Sequence, residues 1–160
     1  QHICDSFKTT VFTMGDVVRN EISSGSTFGR EMKSYLDKGL LVPDSVILSI
    51  FKNNIERFPL KSTILDGFPR TVSQAQFLQE YLCSRDLNLK VILLHVPDNM
   101  LVERLLARKR SDDTQSIIET RLKLYHSETK PLVDFYSNEI NTIDGSGEEK
   151  DVFDRIKACL

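Results

Sequence analysis

Asp66 and Arg70 lie only four residues apart, directly after a predicted strand at 62–65. A carboxylate can support magnesium, which binds one or two carboxylates together with waters and phosphate oxygens. A guanidinium suits phosphate because its planar fork donates two parallel hydrogen bonds. Gly67, between them, would let a ligand approach the backbone closely. The alternative for Asp66 is an ordinary turn residue that ends the strand.

A second group of arginines follows later in the chain. Arg104 and Arg108 are four residues apart on one predicted helix face, where like charges cost about 0.2–0.5 kcal/mol. Arg110 follows two residues later, and Arg121 lies on the next predicted helix. Several guanidinium groups can stabilise the charge on a phosphoryl group in transfer. From spacing alone, an equal alternative is a solvated basic helix balanced by nearby acids, which are Glu103, Asp112 and Asp113.

Three predicted strands end in polar or glycine-containing segments, at 13–16, 66–70 and 144–147. Ligands of open parallel sheets bind beyond the carboxyl ends of the strands, so we expect these segments to meet at one edge. Gln74 follows the second segment, and its amide offers a nucleobase both a donor and an acceptor. It is otherwise a surface residue of a first helical turn. Asp16 is more simply explained as a helix cap.

The elements that must position these residues alternate between strands and helices. Strands are predicted at 8–13, 62–65, 91–96 and 140–143, and apolar residues with helical spacing fill the segments between them. The run 91–96 is almost continuously apolar, which predicts burial on both sides in a parallel sheet. Ser73 and Gln76 have the spacing of a capping box.

This order predicts an α/β domain with a parallel sheet flanked by helices. The roughly fifty residues of helix between the first two strands exceed one crossover and predict a small helical subdomain.

Composition limits the class of protein. The chain has 160 residues and a net charge of −2, with 28% charged and 40% apolar residues, which is typical of one globular domain. The near-neutral net charge argues against nucleic-acid binding. The sequence contains no run of about 18 apolar residues, which is the length that would predict a membrane span. Three scattered cysteines without a CxxC pair indicate reduced thiols and no structural zinc.

Taken in order along the chain, these residues resemble the nucleoside monophosphate kinase family and, within it, the adenylate kinases. The resemblance runs from about Phe12 to the end and rests on segments 12–19, 38–44, 66–74 and 104–121. It implies a P-loop kinase-like fold in one domain over 1–160. It also implies a monophosphate-binding subdomain at 14–43 and a short lid at 107–113.

The resemblance also implies a role for each matching position. The residues that would bind the monophosphate are Arg19, Leu40, Leu41, Val42, Gly67, Arg70, Gln74, Arg110 and Arg121. Those that would bind ATP are Arg104, Arg108, Gly145 and Gly147. The arginines that would stabilise the phosphoryl group in flight are Arg70, Arg108, Arg110 and Arg121. Asp66 would support Mg²⁺ through water, with weaker cases for Asp112 and Asp113.

The implied reaction is reversible transfer of the terminal phosphoryl group from MgATP to AMP, giving two ADP. No covalent enzyme intermediate is expected, because positioning and charge stabilisation suffice. Closure of the two subdomains would exclude water. The implied partners are ATP and a nucleoside monophosphate, and the resemblance further implies a monomer in the cytoplasm, with an organelle as the alternative.

Three features depart from the family pattern. No GxxxxGK phosphate loop occurs, so we expect a first strand and loop of roughly fifteen to twenty residues to precede Gln1. Met14 stands where adenylate kinases have a small hydroxyl residue beside the base. Residues 108–113 resemble the lid of UMP/CMP kinases, whereas Gln74 favours AMP. The alternatives are therefore a UMP/CMP kinase and an inactive nucleotide-binding module lacking the loop.

Overall fold

The computed structural model describes residues 2–107 and 114–160. Its first half contains, in order, α1 (His2–Phe7), β1 (Thr10–Thr13), α2 (Met14–Ser23), α3 (Thr27–Leu36), α4 (Asp44–Ile55), a 3₁₀ turn (Leu60–Ser62) and β2 (Thr63–Asp66). There follow α5 (Val72–Cys83), β3 (Val91–His95), α6 (Asp98–Ala107), α7 (Gln115–Leu124), a π-helical turn (Tyr125–Thr129), α8 (Pro131–Phe135), β4 (Ile140–Asp144) and α9 (Glu149–Cys159). Strands and helices alternate, so the predicted α/β class is confirmed.

The strands form two parallel pairs. β1 pairs with β2, which sets Thr13 opposite Asp66, and β3 pairs with β4, which sets His95 opposite Asp144. Within the described ranges, β2 and β3 are not hydrogen-bonded to each other. The parallel register brings the segments after β1 and β2 to one edge, and the segment after β4 beside the end of β3.

The expectation that residues 91–96 are buried on both sides is wrong. The residues of β3 are half-buried or exposed, and Leu94 is 46% exposed. In the part of the chain that the structure describes, β3 has a strand neighbour on one edge only. A strand with one neighbour leaves its other edge, and the side chains along it, open to solvent.

The main core lies between β1 and the helices α2 to α5. Phe51 of α4 stacks on Phe68 with ring centroids 4.4 Å apart, and it meets Phe12 of β1 edge-to-face at 5.5 Å. All three side chains are almost fully buried. Phe68 belongs to the loop after β2, so this aromatic contact anchors that loop to α4. A smaller cluster joins α5 to α8 through Ala75, Leu132 and Tyr136.

The helix starts differ from two predictions. α5 is capped by Thr71, whose hydroxyl accepts a hydrogen bond from the backbone N–H of Gln74, so the capping box at Ser73 is wrong. α2 begins at Met14, and Asp16 lies inside its first turn, where its carboxylate pairs with Arg19 instead of capping. In both cases the competing cap lies two or three residues earlier in the chain.

Helices α2, α3 and α4 fill the segment between β1 and β2, as the predicted helical insertion requires. The subdomain bounds 14–43 stay a prediction. The lid at 107–113 falls almost wholly outside the described residues. None of the described helices is long and apolar enough to cross a membrane.

Candidate active site

The loop after β2 places Gly67 and Arg70 against each other. Gly67 has φ +74°, a conformation that side-chain-bearing residues rarely adopt. A Cβ there would lie 3.2 Å from Nη2 of Arg70. Nε of Arg70 donates to the carbonyl oxygen of Gly67 at 3.1 Å. Gly67 therefore provides both the turn and the space in which the guanidinium folds back over the loop.

Charged groups converge on Arg70. The pKa of its guanidinium is lowered mainly by the surrounding protein, which reduces its solvation. The Asp66 carboxylate acts in the opposite direction, and the nearby positive charge of Arg121 lowers the pKa further. The group stays protonated, because arginine does not lose its proton in proteins. Two guanidinium groups that repel each other across a gap are stabilised by an anion placed between them.

Gln74 is the most buried polar side chain of this region, at 3% exposure. Its Oε1 accepts from the backbone N–H of Arg70 at 2.8 Å, and its Nε2 donates to Oδ1 of Asp44 at 2.6 Å. The other carboxylate oxygen of Asp44 accepts from the hydroxyl of Thr71 at 2.8 Å. The amide is thus held between the loop after β2 and the start of α4.

Sequence reasoning missed Asp44 and Thr71. Asp44 follows Pro43, which explains it fully as the first residue of a helix. The residues it contacts are 27 and 30 positions away in sequence. No local spacing reveals such a contact, although an acid and a buried amide are natural partners.

Residues 40–42, which are predicted to contact the ribose and base of the monophosphate, follow a glycine that lies against α7. Gly39, just before Leu40, has φ +71°, and a Cβ there would lie 3.2 Å from the carbonyl oxygen of Ile117. Val42 is buried, whereas Leu40 is 38% exposed. Since Arg121 lies one turn beyond Ile117, α7 joins this segment to the Arg70 region.

Arg19 is held by Asp16 on its own helix. Among the described contacts, none joins Arg19 to Arg70 or Gln74. Its role as a phosphate ligand stays a prediction.

A second cluster forms where α6 meets the loop after β4. Arg104 donates from Nη1 to the carbonyl oxygen of Gly145 at 3.0 Å and from Nη2 to that of Gly147 at 3.1 Å. A Cβ at Gly145 would lie 2.7 Å from Cγ2 of Val96, so only glycine fits there without movement. The structure thus brings together three of the four residues predicted to bind ATP.

Arg155 also holds this loop and was missed from the sequence. Its Nη1 donates to the carbonyl oxygens of Asp144 at 2.6 Å and Ser146 at 2.9 Å. The backbone N–H of Ser146 donates to Oδ1 of Asp144, and this bond lowers the pKa of that carboxyl. Arg155 lies on α9, and its nearest partner here is nine residues away in sequence, so local spacing gave it no role.

A cavity of about 480 Å³ adjoins the same loop. Its walls are mostly apolar and include Leu94, Val96, Val152 and Ile156, with Arg104 and Gly145 at one side. Apolar walls with a few placed polar groups are typical of small-molecule sites of this size.

Arg108, Arg110, Asp112 and Asp113 lie outside the described residues, so their predicted roles are not placed. Within residues 2–107 and 114–160, no three potential metal ligands cluster. Asp66 offers one exposed carboxylate at a strand end beside Arg70. This donor set fits Mg²⁺ that arrives with phosphate oxygens and keeps several waters.

Comparison with known proteins gives a consistent match. The family model described as Adenylate kinase matches residues 1–141. The chain is 38% identical to an adenylate kinase of Corynebacterium urealyticum, with 100% of the chain and 90% of that protein covered. It is 40% identical to one of Mycolicibacterium vanbaalenii, with the same coverage. It is also 40% identical to one of Trichodesmium erythraeum, with 97% of the chain and 86% of that protein covered.

Proposed function

The chain belongs to the adenylate kinase family of phosphotransferases, and from this premise we propose that it transfers the terminal phosphoryl group of MgATP reversibly to AMP, giving two ADP. The observation that carries the proposal is the guanidinium of Arg70, which folds over Gly67 next to the buried amide of Gln74, with the charges of Asp66 and Arg121 acting on it. This arrangement combines a polyanion site with a group suited to a nucleobase.

Arg70 and Arg121 bind the phosphate of AMP and reduce its repulsion from the approaching ATP. The phosphate of AMP is largely dianionic at neutral pH, so its oxygen attacks without a protein base. Charge spreads over the transferring group, and arginines fixed beforehand stabilise it at no cost of reorganisation. Asp66 would hold Mg²⁺ through water, and the ion would supply positive charge that neutralises phosphate charge.

Arg104 and the loop 145–147 form the side that receives the base of ATP. Arg104 is held by two carbonyl oxygens, so its guanidinium plane is fixed beside the apolar cavity. A flat guanidinium stacks well on an aromatic base, and the apolar wall covers the base's other parts.

The amide of Gln74 favours AMP over the pyrimidine monophosphates as the phosphate acceptor. Met14, which stands in place of a hydroxyl residue, is 4% exposed and packs in the core with Phe12 and Phe51. It therefore contributes to the core, and the polar selection of the base falls to Gln74. Residues 108–113, which resemble the lid of UMP/CMP kinases, lie outside the described residues, so the choice between AMP and a pyrimidine monophosphate is left to the acceptor assay.

A panel of acceptors tests the proposal. ATP is offered with AMP, CMP, UMP or GMP to the full-length gene product, and transfer is followed as ADP formation. We expect the highest kcat/KM with AMP. Transfer to CMP or UMP far above AMP would instead support the pyrimidine kinase, and AMP binding without any transfer would support the inactive module.

The proposal includes a monomer that works in the cytoplasm, as the resemblance implies. Light scattering after gel filtration gives the mass in solution, and fractionation of cells gives the compartment. A stable dimer would contradict the first part, and enrichment in an organelle would contradict the second.

A further inference from the structure

Asp44 is the first residue of α4, and its side chain reaches the start of α5. The proposed function gives it no role. It is half-buried and uses both carboxylate oxygens, one toward Gln74 and one toward Thr71. It lies two residues after Val42, the last of the three residues predicted to contact the ribose and base of the monophosphate. Hydrogen bonds to a charged acceptor are roughly twice as strong as neutral ones.

These contacts fix the direction of the Gln74 amide. A carboxylate only accepts, so the NH₂ end must face Asp44, and the backbone N–H of Arg70 only donates, so the oxygen must face Arg70. Both neighbours demand the same orientation. The amide therefore cannot turn over without breaking two hydrogen bonds at once.

The locked amide keeps one N–H and one oxygen lone pair for a ligand. A 6-aminopurine offers an amino donor beside a ring-nitrogen acceptor, and it pairs with an amide in one direction. A 6-oxopurine presents a carbonyl acceptor beside a ring N–H donor, so it needs the amide turned over. An amide that can turn over accepts both bases, whereas a locked one accepts only one.

We propose that Asp44 is a positioning residue that locks the Gln74 amide and thereby makes the site select a 6-aminopurine monophosphate over a 6-oxopurine one. The inference rests on the proposed function, since it concerns how the same site chooses its acceptor. It adds a residue that contacts no substrate and acts through Gln74.

AMP and IMP are the matched probes, because they differ only at position 6 and the adjoining ring nitrogen. For the full-length protein, kcat/KM is measured with each acceptor, together with the KM for ATP and the melting temperature. In Asp44→Ala we expect the AMP-to-IMP ratio to fall about tenfold, or about 1.4 kcal/mol of discrimination, with the KM for ATP within about twofold of wild type.

Two further variants separate positioning from general damage. Asp44→Asn keeps an acceptor for the Gln74 amide and should retain most of the ratio. Asp98→Ala is the control, because Asp98 also follows a proline and opens a helix, yet its carboxylate bonds to His126. If Asp44→Ala does not fold, Asp44→Ser replaces it with the same expectation, since serine is too short to reach Gln74.

An unchanged AMP-to-IMP ratio in Asp44→Ala would overturn the inference, as would an equal fall in Asp98→Ala or a wild-type protein that uses IMP as well as AMP. A wild-type protein that transfers phosphate to no purine monophosphate would overturn the proposed function instead. The two failures are therefore distinct.

Discussion

Arg70 carries the largest share of the proposed chemistry at the scale of single residues. Its guanidinium lies over Gly67, and the charges of Asp66 and Arg121 act on it in opposite directions. We expect Arg70→Ala to lower kcat/KM for AMP by roughly 10²–10³-fold, because a donor already aimed at developing charge is lost. Arg70→Lys should recover only part, since an ammonium lacks the planar fork.

Coupled-assay kinetics with AMP varied at saturating ATP measure both variants. Arg57→Ala is the control, because Arg57 is an exposed arginine outside the site. Near wild-type activity in Arg70→Ala would refute the assignment of this residue.

Tyr136 gives a prediction about stability. Its side chain is 5% exposed, and none of the described residues hydrogen-bonds to its hydroxyl. Burial, with a smaller contribution from Glu139, raises its pKa to about 12. Since the folded-state pKa is raised, the neutral phenol favours the folded state below pH 10. That contribution is lost as the pH rises from about 10 toward 12.

Tyr136→Phe should therefore unfold less readily at alkaline pH. At pH 8 it should be equal to wild type or more stable by about 1 kcal/mol, because an unsatisfied buried hydroxyl is removed. Urea unfolding at pH 8 and pH 10.5 measures this, with Tyr35→Phe as the control. A larger loss of stability in Tyr136→Phe than in the control would show that the hydroxyl has a partner.

The sequence indicated candidate site residues whose chemistry is local and missed those whose contacts are distant. Arg70, Gly67 and Gln74 lie within one stretch, so their types and spacing predicted a site there. Asp44 and Arg155 act on segments that the fold brings to them. Only the tertiary structure shows that one orients an amide and the other holds a loop.

At the scale of elements, α2 and α3 pack so closely that a glycine is required. Gly29 lies on α3, and a Cβ there would be 2.9 Å from Cα of Ile22 and closer still to the carbonyl oxygen of Glu21. We expect Gly29→Ala to destabilise the protein by about 1–3 kcal/mol through overpacking. Helix propensity alone would instead favour alanine by about 1 kcal/mol.

Chemical unfolding of Gly29→Ala decides between these two effects. Ser34→Ala, on the exposed face of the same helix, serves as control and should change stability by less than about 0.5 kcal/mol. A stabilised Gly29→Ala would mean that the two helices separate easily.

The periodicity of apolar residues predicted which helices and strands exist. It did not predict which residues cap the helices or how deeply the strands are buried. Before α5, Thr71 and Ser73 were both available as caps, and Thr71 takes the position while its hydroxyl also donates to the distant Asp44. The apolar run of β3 predicted a strand correctly. Its burial depends on neighbours, which periodicity does not encode.

At the scale of the whole molecule, three separate parts of the chain contribute to the proposed anion site. The loop after β2 supplies Arg70, α7 supplies Arg121, and the segment 39–42 lies against α7 at Ile117. The order of elements predicted an α/β fold, but it could not predict which strands are hydrogen-bonded neighbours. That information is in long-range pairing, which no local pattern contains.

Because the site joins these parts, AMP should stabilise the whole molecule. At a hundred times its Kd, AMP should add about 2.7 kcal/mol to the free energy of unfolding. Arg121→Gln should bind AMP about tenfold more weakly and lose about 1.4 kcal/mol of that increment. Lys123→Gln, an exposed residue on the same helix, should keep the wild-type increment.

Each variant is compared with its own unliganded baseline by urea unfolding with and without AMP at a fixed concentration. The increment in the wild-type protein should also shrink in 0.5 M salt, because added ions screen the attraction between the phosphate and the two guanidinium groups. If AMP stabilises Arg121→Gln as much as it stabilises the wild-type protein, Arg121 repels Arg70 but does not bind the phosphate. The phosphate would then be bound by Arg70 alone, and the convergence of α7 on the loop would serve packing only.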